Sequence, residues 1–239
     1  MRYAFQERSD TDFHRVCIVK SRFKKFTKCT LVFYEIQTVI GLRGMNCVSG
    51  EESLSIIAVI LAGGRSSRMG RSKALLSLGG QCLVDRTRAI LENLRPSIER
   101  IVISGSVPET EGIGDFIPDR VPFRGPVMGI GSCAKQCLAD GTGGLLVVPV
   151  DLPLLTADVL LPLVSYFKTC QPPAVFFDGN WLPALFRLDG ELIRQCNQNL
   201  SVRGLLESLS AASIPITEVG PLTNTNTPEE WAKVTKENI

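Results

Sequence analysis

An α/β fold with a mostly parallel sheet follows from three observations on the chain. Residues 56–61, 101–103 and 145–150 are apolar, β-rich runs of the kind buried on both faces of a parallel sheet. Stripes of helical period fall between them, as a right-handed βαβ path requires. The first run opens into Gly63-Gly64 and the third ends on Asp151. Both therefore carry chemistry at the carboxyl end of a strand, where open α/β sheets bind ligands.

In chain order, the first strand (56–61) leads into a loop containing Gly63, Gly64 and Gly70, with Arg65, Arg68, Arg71 and Lys73. Four cations within nine residues and no acid among them suit an anion, and glycines let backbone N–H groups approach a phosphate. The loop is not a Walker motif, because five residues separate Gly64 from Gly70 and no Lys-Ser/Thr follows. Its glycines also fail the dinucleotide fingerprint G-x-G-x-x-G. Residues 75–78 predict a short extended piece turning at Gly79-Gly80, and 82–94 a helix ending before Pro96. After the strand at 101–103, residues 115–119 (DFIPD) form a short strand-like segment. Residues 130–138 predict a helix entered through R-G-P-V-M-G (124–129), whose amino-terminal dipole would face a ligand; Pro126 equally suits a first helical turn.

The strand at 145–150 ends on Asp151, a carboxylate that is costly to desolvate alone and is suited to a Mg²⁺ that bridges it to phosphates. Thr156 is the expected cap of a helix over 158–167. Strands at 174–177 and 183–187, joined by Asp178-Gly179-Asn180, predict an antiparallel hairpin that breaks the βαβ rhythm. Short helices at 192–198 and 202–209 and a strand at 214–216 follow. The chain closes on N-T-N-T-P-E-E-W, where Thr227, Pro228 and Glu230 form a capping box. Helix initiation does not explain Asn224 and Asn226, which on an extended segment share one side.

Composition excludes several chemistries. The chain has 239 residues, 44% hydrophobic and 21% charged, with a net charge of +2. Residues 1–44 hold nine Lys/Arg against four Asp/Glu, while the remainder holds 17 against 20, so the body offers no nucleic-acid surface. The one histidine, His14, lies in the amino-terminal segment, which removes His-based triads and His-ligated metals from the body. Eight cysteines without a C-x-x-C pair read as free thiols of a reducing cytosol. Cys133 and Cys137 share a helix face but have no neighbouring ligands to complete a zinc site. Residues 1–55 stand apart as an amino-terminal extension, basic over 15–28 and apolar but too short to span a bilayer over 30–42. Three readings of it stand: an upstream start ahead of Met45, a disordered basic arm, or a small anchoring element. Residues 56–239 form the expected catalytic domain.

Five ordered blocks, LAGGRSSRMG with Lys73, FIPD, RGPVMGI, PVDLP and NTNTPEEW, resemble those of the molybdenum cofactor guanylyltransferases. The first block is shared with nucleotidyltransferases at large; the third and last together are more typical of the guanylyl enzymes than of the cytidylyl ones. The resemblance implies a single Rossmann-like nucleotidyltransferase domain, a mostly parallel sheet with helices on both faces. It implies transfer of GMP from GTP to molybdopterin with release of pyrophosphate. Leu61, Ala62, Gly63, Lys73, Asp119 and Asp151 would bind GTP, with Asp151 holding Mg²⁺ and Lys73 and Asp151 catalytic. Arg68, Asn224 and Asn226 would meet phosphate or pterin. Ser104 stands where family members can carry a nucleotide-contacting Asn, and Ser72 where Asp is frequent. The implied partners are GTP, molybdopterin and proteins that deliver the cofactor, in the cytoplasm, with neither nucleic acid nor membrane. Its rivals are a sibling enzyme with another base or acceptor, such as a molybdopterin cytidylyltransferase, and a non-catalytic nucleotide-binding partner.

Overall fold

The computed structural model describes residues 54–63, 73–105, 115–121, 124–140, 143–216, 220–225, 227, 230–232 and 234. The extension over 1–53, the loop cations Arg65, Arg68 and Arg71, and Asn226 lie outside the described residues.

Among the described residues seven strands form one sheet in the order β5-β4-β1-β6-β8-β7-β9. These are β1 (Ile56–Leu61), β4 (Ile98–Gly105), β5 (Phe116–Pro118), β6 (Gly144–Pro149), β7 (Ala174–Phe177), β8 (Asn180–Arg187) and β9 (Ala212–Ile214). β1 pairs in parallel with β4 on one side and β6 on the other, which makes it the centre of the parallel half. β8 alone runs against its neighbours, antiparallel to β6 and β7, while β9 returns parallel to β7. A small hairpin of β2 (Ser77–Leu78) and β3 (Gln81–Cys82) turns on Gly79 and Gly80, both at positive φ as a tight two-residue turn demands.

Alternation along β1 builds the two cores. Ile56, Ala58 and Ile60 face α1 (Leu83–Glu92) and α3 (Ala157–Cys170). Ile57 and Val59 face the opposite layer of α2 (Pro126–Cys137), α4 (Gly190–Gln198) and α5 (Val202–Ser208). Helices thus cover both faces, which explains why the central strands are apolar throughout rather than alternating. Cys133 and Cys137 point into the second core and are free thiols, and burial pushes Cys133 up to about 12. Among the described residues no cluster of three metal-ligating side chains exists, and no helix is long and apolar enough to cross a membrane.

The predicted boundaries differ at several points. α2 begins at Pro126 rather than residue 130, because Pro126 starts the helix and Gly129 is accommodated inside it. Its interior glycines obscured the pattern. Thr156 sits at the α3 cap in extended conformation but its hydroxyl makes no capping bond; Asp189 and Ser201 do cap α4 and α5. β8 starts at Asn180, with Pro183 within the strand where pairing to β7 shifts register. The last strand covers 212–214, not 214–216. The capping box is reciprocal as expected: Thr227 N–H donates to Glu230 Oε2 at 3.1 Å, and Glu230 N–H to Thr227 Oγ1 at 3.2 Å.

Gly144 opens β6 at a crowded point of the first core. A Cβ there would meet Phe167 Cε1 at 2.8 Å and Ile56 and Leu185 at 3.2 Å. Gly144→Ala is therefore expected to destabilise the protein by about 1–3 kcal/mol, the usual range for overpacking, read as a lowered denaturant midpoint with an unchanged slope.

Candidate active site at the carboxyl edge of the sheet

β1 and β6 end side by side, with Leu61 opposite Pro149, and the chain leaves both strands into one cavity of about 560 Å³. Leu61, Ala62, Gly63, Lys73, Asp151 and Asn224 line it, so six of the residues singled out in the sequence meet there. They come from four separate segments. Only the order of the strands brings them together.

Asp151 is the electrostatic centre. Lys73 Nζ donates to Asp151 Oδ2 at 3.3 Å and to the Thr225 carbonyl at 2.9 Å, with 18% and 20% of the Lys73 and Asp151 side chains exposed. Asp151 Oδ1 is buried and, among the described residues, has no hydrogen-bond partner. A buried carboxylate oxygen without a donor is costly, and this one belongs to a side chain that lines the cavity. Thr225 N–H donates to the Asp151 carbonyl at 3.1 Å, which fastens the Asn224 segment against the end of β6.

The backbone at the end of β1 is largely committed to the sheet. Ala62 N–H donates to Ser104 O at 2.8 Å, and Leu61 O accepts from Val150 N–H at 3.2 Å. The backbone donor past these sheet bonds is that of Gly63, which is exposed at the cavity.

Asp119 follows β5 on the far side of β4. Its Oδ1 accepts from Ser104 Oγ at 3.0 Å, and it borders a second concavity of about 430 Å³. Ser104 is fully buried, so its hydroxyl acts on Asp119 rather than on a ligand. Gly129 of α2 passes beneath this pair, and a Cβ there would meet Ser104 Oγ at 2.9 Å and Asp119 Oδ1 at 3.1 Å.

The far wall of the cavity was read in the sequence only as a turn. Gly179, Asn180, Trp181 and Leu182 of the β7–β8 hairpin line it, with Pro126 and Val202. Because β8 is antiparallel, its beginning lies at the same edge as the ends of β1 and β6. The sequence signal for it is a Trp directly after a turn.

A parallel sheet with a glycine-rich exit from β1, a lysine and a carboxylate facing one another at its carboxyl edge defines a nucleotide-handling transferase fold. The MobA-like NTP transferase domain matches residues 58–213. The chain is 38% identical over 189 residues to a molybdenum cofactor guanylyltransferase of Xanthomonas euvesicatoria, covering 75% of this chain and 94% of that one. It is 34% identical over 193 residues to one of Rhizobium meliloti, covering 72% and 87%. Molybdopterin-guanine dinucleotide biosynthesis protein A of Archaeoglobus fulgidus shares the fold at a TM-score of 0.61 and 21% identity, over 76% of this chain and 97% of that one. A 4-diphosphocytidyl-2C-methyl-D-erythritol synthase of Anaerococcus prevotii superposes equally well, at 0.61 and 13% identity over 78% and 96%. The chain belongs to the molybdenum cofactor guanylyltransferase family.

Proposed function

We propose that this chain transfers GMP from GTP to the terminal phosphate of molybdopterin, releasing pyrophosphate. The observation that carries the reading is the Lys73–Asp151 pair, whose two residues line the cavity just past β6, with an Asp151 Oδ1 that no donor among the described residues satisfies. Relatives named for guanylyl transfer supply the base and the acceptor.

The acceptor phosphate is already ionised at neutral pH, so its oxygen attacks the α-phosphorus of GTP without a general base. The bond to the bridging oxygen of the β-phosphate breaks, and pyrophosphate leaves with the electron pair. The protein has to align two anions and neutralise the charge that builds. Lys73 supplies a cation at the cavity, and Gly63 a backbone donor. Asn224, with Asn226 and Arg68, is assigned to the acceptor's phosphate or pterin.

A cation fits Asp151. A hard divalent ion seeks a carboxylate oxygen, and Oδ1 has no donor among the described residues. Mg²⁺ is the ion of choice, since it is held by one or two carboxylates together with substrate phosphates, and no larger protein cluster exists among the described residues. When bound there it would neutralise phosphate charge. Leu61, Ala62 and Asp119 are assigned to the nucleotide, and the buried Ser104 hydroxyl orients Asp119 in place of a direct contact. We place the reaction in the cytoplasm, with cofactor-delivery proteins as the recipients of its product.

Label transfer tests the reaction. With GTP labelled at the α-phosphorus, the label should pass to the molybdopterin product; label at the γ-phosphorus should leave in pyrophosphate. Appearance of the γ-label in the product would contradict nucleotidyl transfer. Gly129→Ala supplies a second check, because the added methyl meets the Ser104–Asp119 bond. Its KM for GTP should rise about tenfold, on the order of 1.4 kcal/mol for one displaced polar contact, while the KM for molybdopterin stays within twofold.

A further inference from the structure

We propose that Trp181 is the platform on which the flat ring of the acceptor stacks, held in place by Phe176 and Arg203. The proposal rests on the reading that a phosphorylated pterin is the acceptor.

Trp181 is an oddity among the large apolar side chains. It is 40% exposed, yet two side chains, Phe176 and Arg203, lie against its ring. The Phe176 ring lies 5.5 Å from it, centroid to centroid, tilted by 33°. The Arg203 guanidinium carbon sits 5.5 Å from the Trp181 ring centroid, and Arg203 Nε in turn donates to Glu207 Oε1 at 2.8 Å. Neither Phe176 nor Arg203 lines the cavity, whereas Trp181 does, so both brace the indole from outside it. Among the described residues that line the cavity, Trp181 is the one aromatic. A rigid indole offers its exposed part to the cavity at little entropic cost, and stacking of a flat heterocycle on an aromatic side chain is worth a factor of about ten or more in affinity.

The order of the strands decides which ring it serves. Along the carboxyl edge of the sheet come Asp119 after β5, Ser104 on β4, Leu61 to Gly63 after β1, Asp151 after β6, and then Trp181 at the start of β8. Asp151 divides this row. The nucleotide contacts assigned above lie on the β1–β4–β5 side, so the ring beyond Asp151 is that of the other substrate. Leu182, Val202 and Pro126 line the cavity with Trp181, and Asn180 is the polar side chain of the hairpin among them, a mostly apolar set that suits a ring rather than a phosphate.

The test is steady-state kinetics of Trp181→Ala and Trp181→Phe with GTP and molybdopterin varied separately, together with a direct binding measurement. In Trp181→Ala, the KM for molybdopterin should rise at least tenfold, with kcat and the KM for GTP within about twofold; Trp181→Phe should recover most of the loss. Arg203→Ala should give a smaller rise of the same kind. In the Trp231→Phe protein, which keeps Trp181 as its one tryptophan, molybdopterin should quench the fluorescence and GTP should leave it unchanged. An unaltered KM for molybdopterin in Trp181→Ala would overturn the proposal, as would a rise confined to GTP, which would give the platform to the nucleobase. If the unaltered enzyme turns over GTP with a different phosphorylated acceptor, the reading of the acceptor fails. The proposal fails with it unless molybdopterin still quenches Trp181. Loss of both variants' fold would show as a lowered thermal midpoint, and quenching in the Trp231→Phe protein then decides the matter.

Discussion

Asp151→Asn is expected to lower kcat/KM for GMP transfer by about 10²- to 10³-fold, the cost of about 2.7–4 kcal/mol that attends loss of one preorganised electrostatic contact. The substitution is nearly isosteric. Its backbone carbonyl would still accept from Thr225 N–H, now at 3.1 Å, and its amide oxygen would still accept from Lys73. What disappears is the negative charge and the oxygen Oδ1 that no donor among the described residues satisfies. Folding should therefore change little, and the thermal midpoint should stay within a few degrees. The Mg²⁺ dependence of turnover should weaken, so that the variant needs more metal for its residual rate. A variant that kept full activity at low Mg²⁺ would remove Asp151 from the site.

Lys73→Met should be as damaging to turnover, by about 10²-fold or more, and should differ from Asp151→Asn in its effect on stability. Lys73 makes two contacts that hold the cavity together, one to Asp151 Oδ2 and one to the Thr225 carbonyl. Removing it leaves a largely buried carboxylate with neither oxygen compensated. Deleting one partner of a fully buried pair costs about 3–5 kcal/mol. With roughly a fifth of each side chain in solvent, the expected loss here is smaller, about 1–3 kcal/mol. Lys73→Met should thus lower both the thermal midpoint and kcat, and the double variant Lys73→Met with Asp151→Asn should recover part of the stability and none of the activity. Denaturant titration of the three variants measures this. Equal stability of the single variants would contradict the idea that Lys73 compensates Asp151.

The parallel strands were legible because burial on both faces forces apolar runs, as in β1 and β6, and because Gly63 and Asp151 stop those runs abruptly. The antiparallel hairpin was legible from Asp178-Gly179-Asn180. The start of α2 was not, since Gly129 reads as loop in a sequence. Its reason for being glycine is spatial: there is no room for a Cβ under Ser104 and Asp119. Lys73 and Asp151 were each recognisable as charged residues at strand exits, but their pairing was not, because 78 positions separate them and only the β1–β6 adjacency joins them. Trp181 and Val202 escaped for the same reason, whereas Pro126 lies in the R-G-P-V-M-G stretch whose helix start is expected to face a ligand. Trp181 and Val202 lie on different elements, a strand and a helix, and only the packing of the fold puts them on one wall.

Pyrophosphate release by the purified protein, with Mg²⁺ and molybdopterin and with GTP, CTP or ATP offered separately, tests the central claim most directly. Release is expected with GTP, at least a hundredfold faster than with CTP or ATP, and it should fall by about two orders of magnitude in Asp151→Asn and Lys73→Met. Binding of GTP without release of pyrophosphate, or release that both variants retain, would contradict the assignment of this cavity as the site of guanylyl transfer.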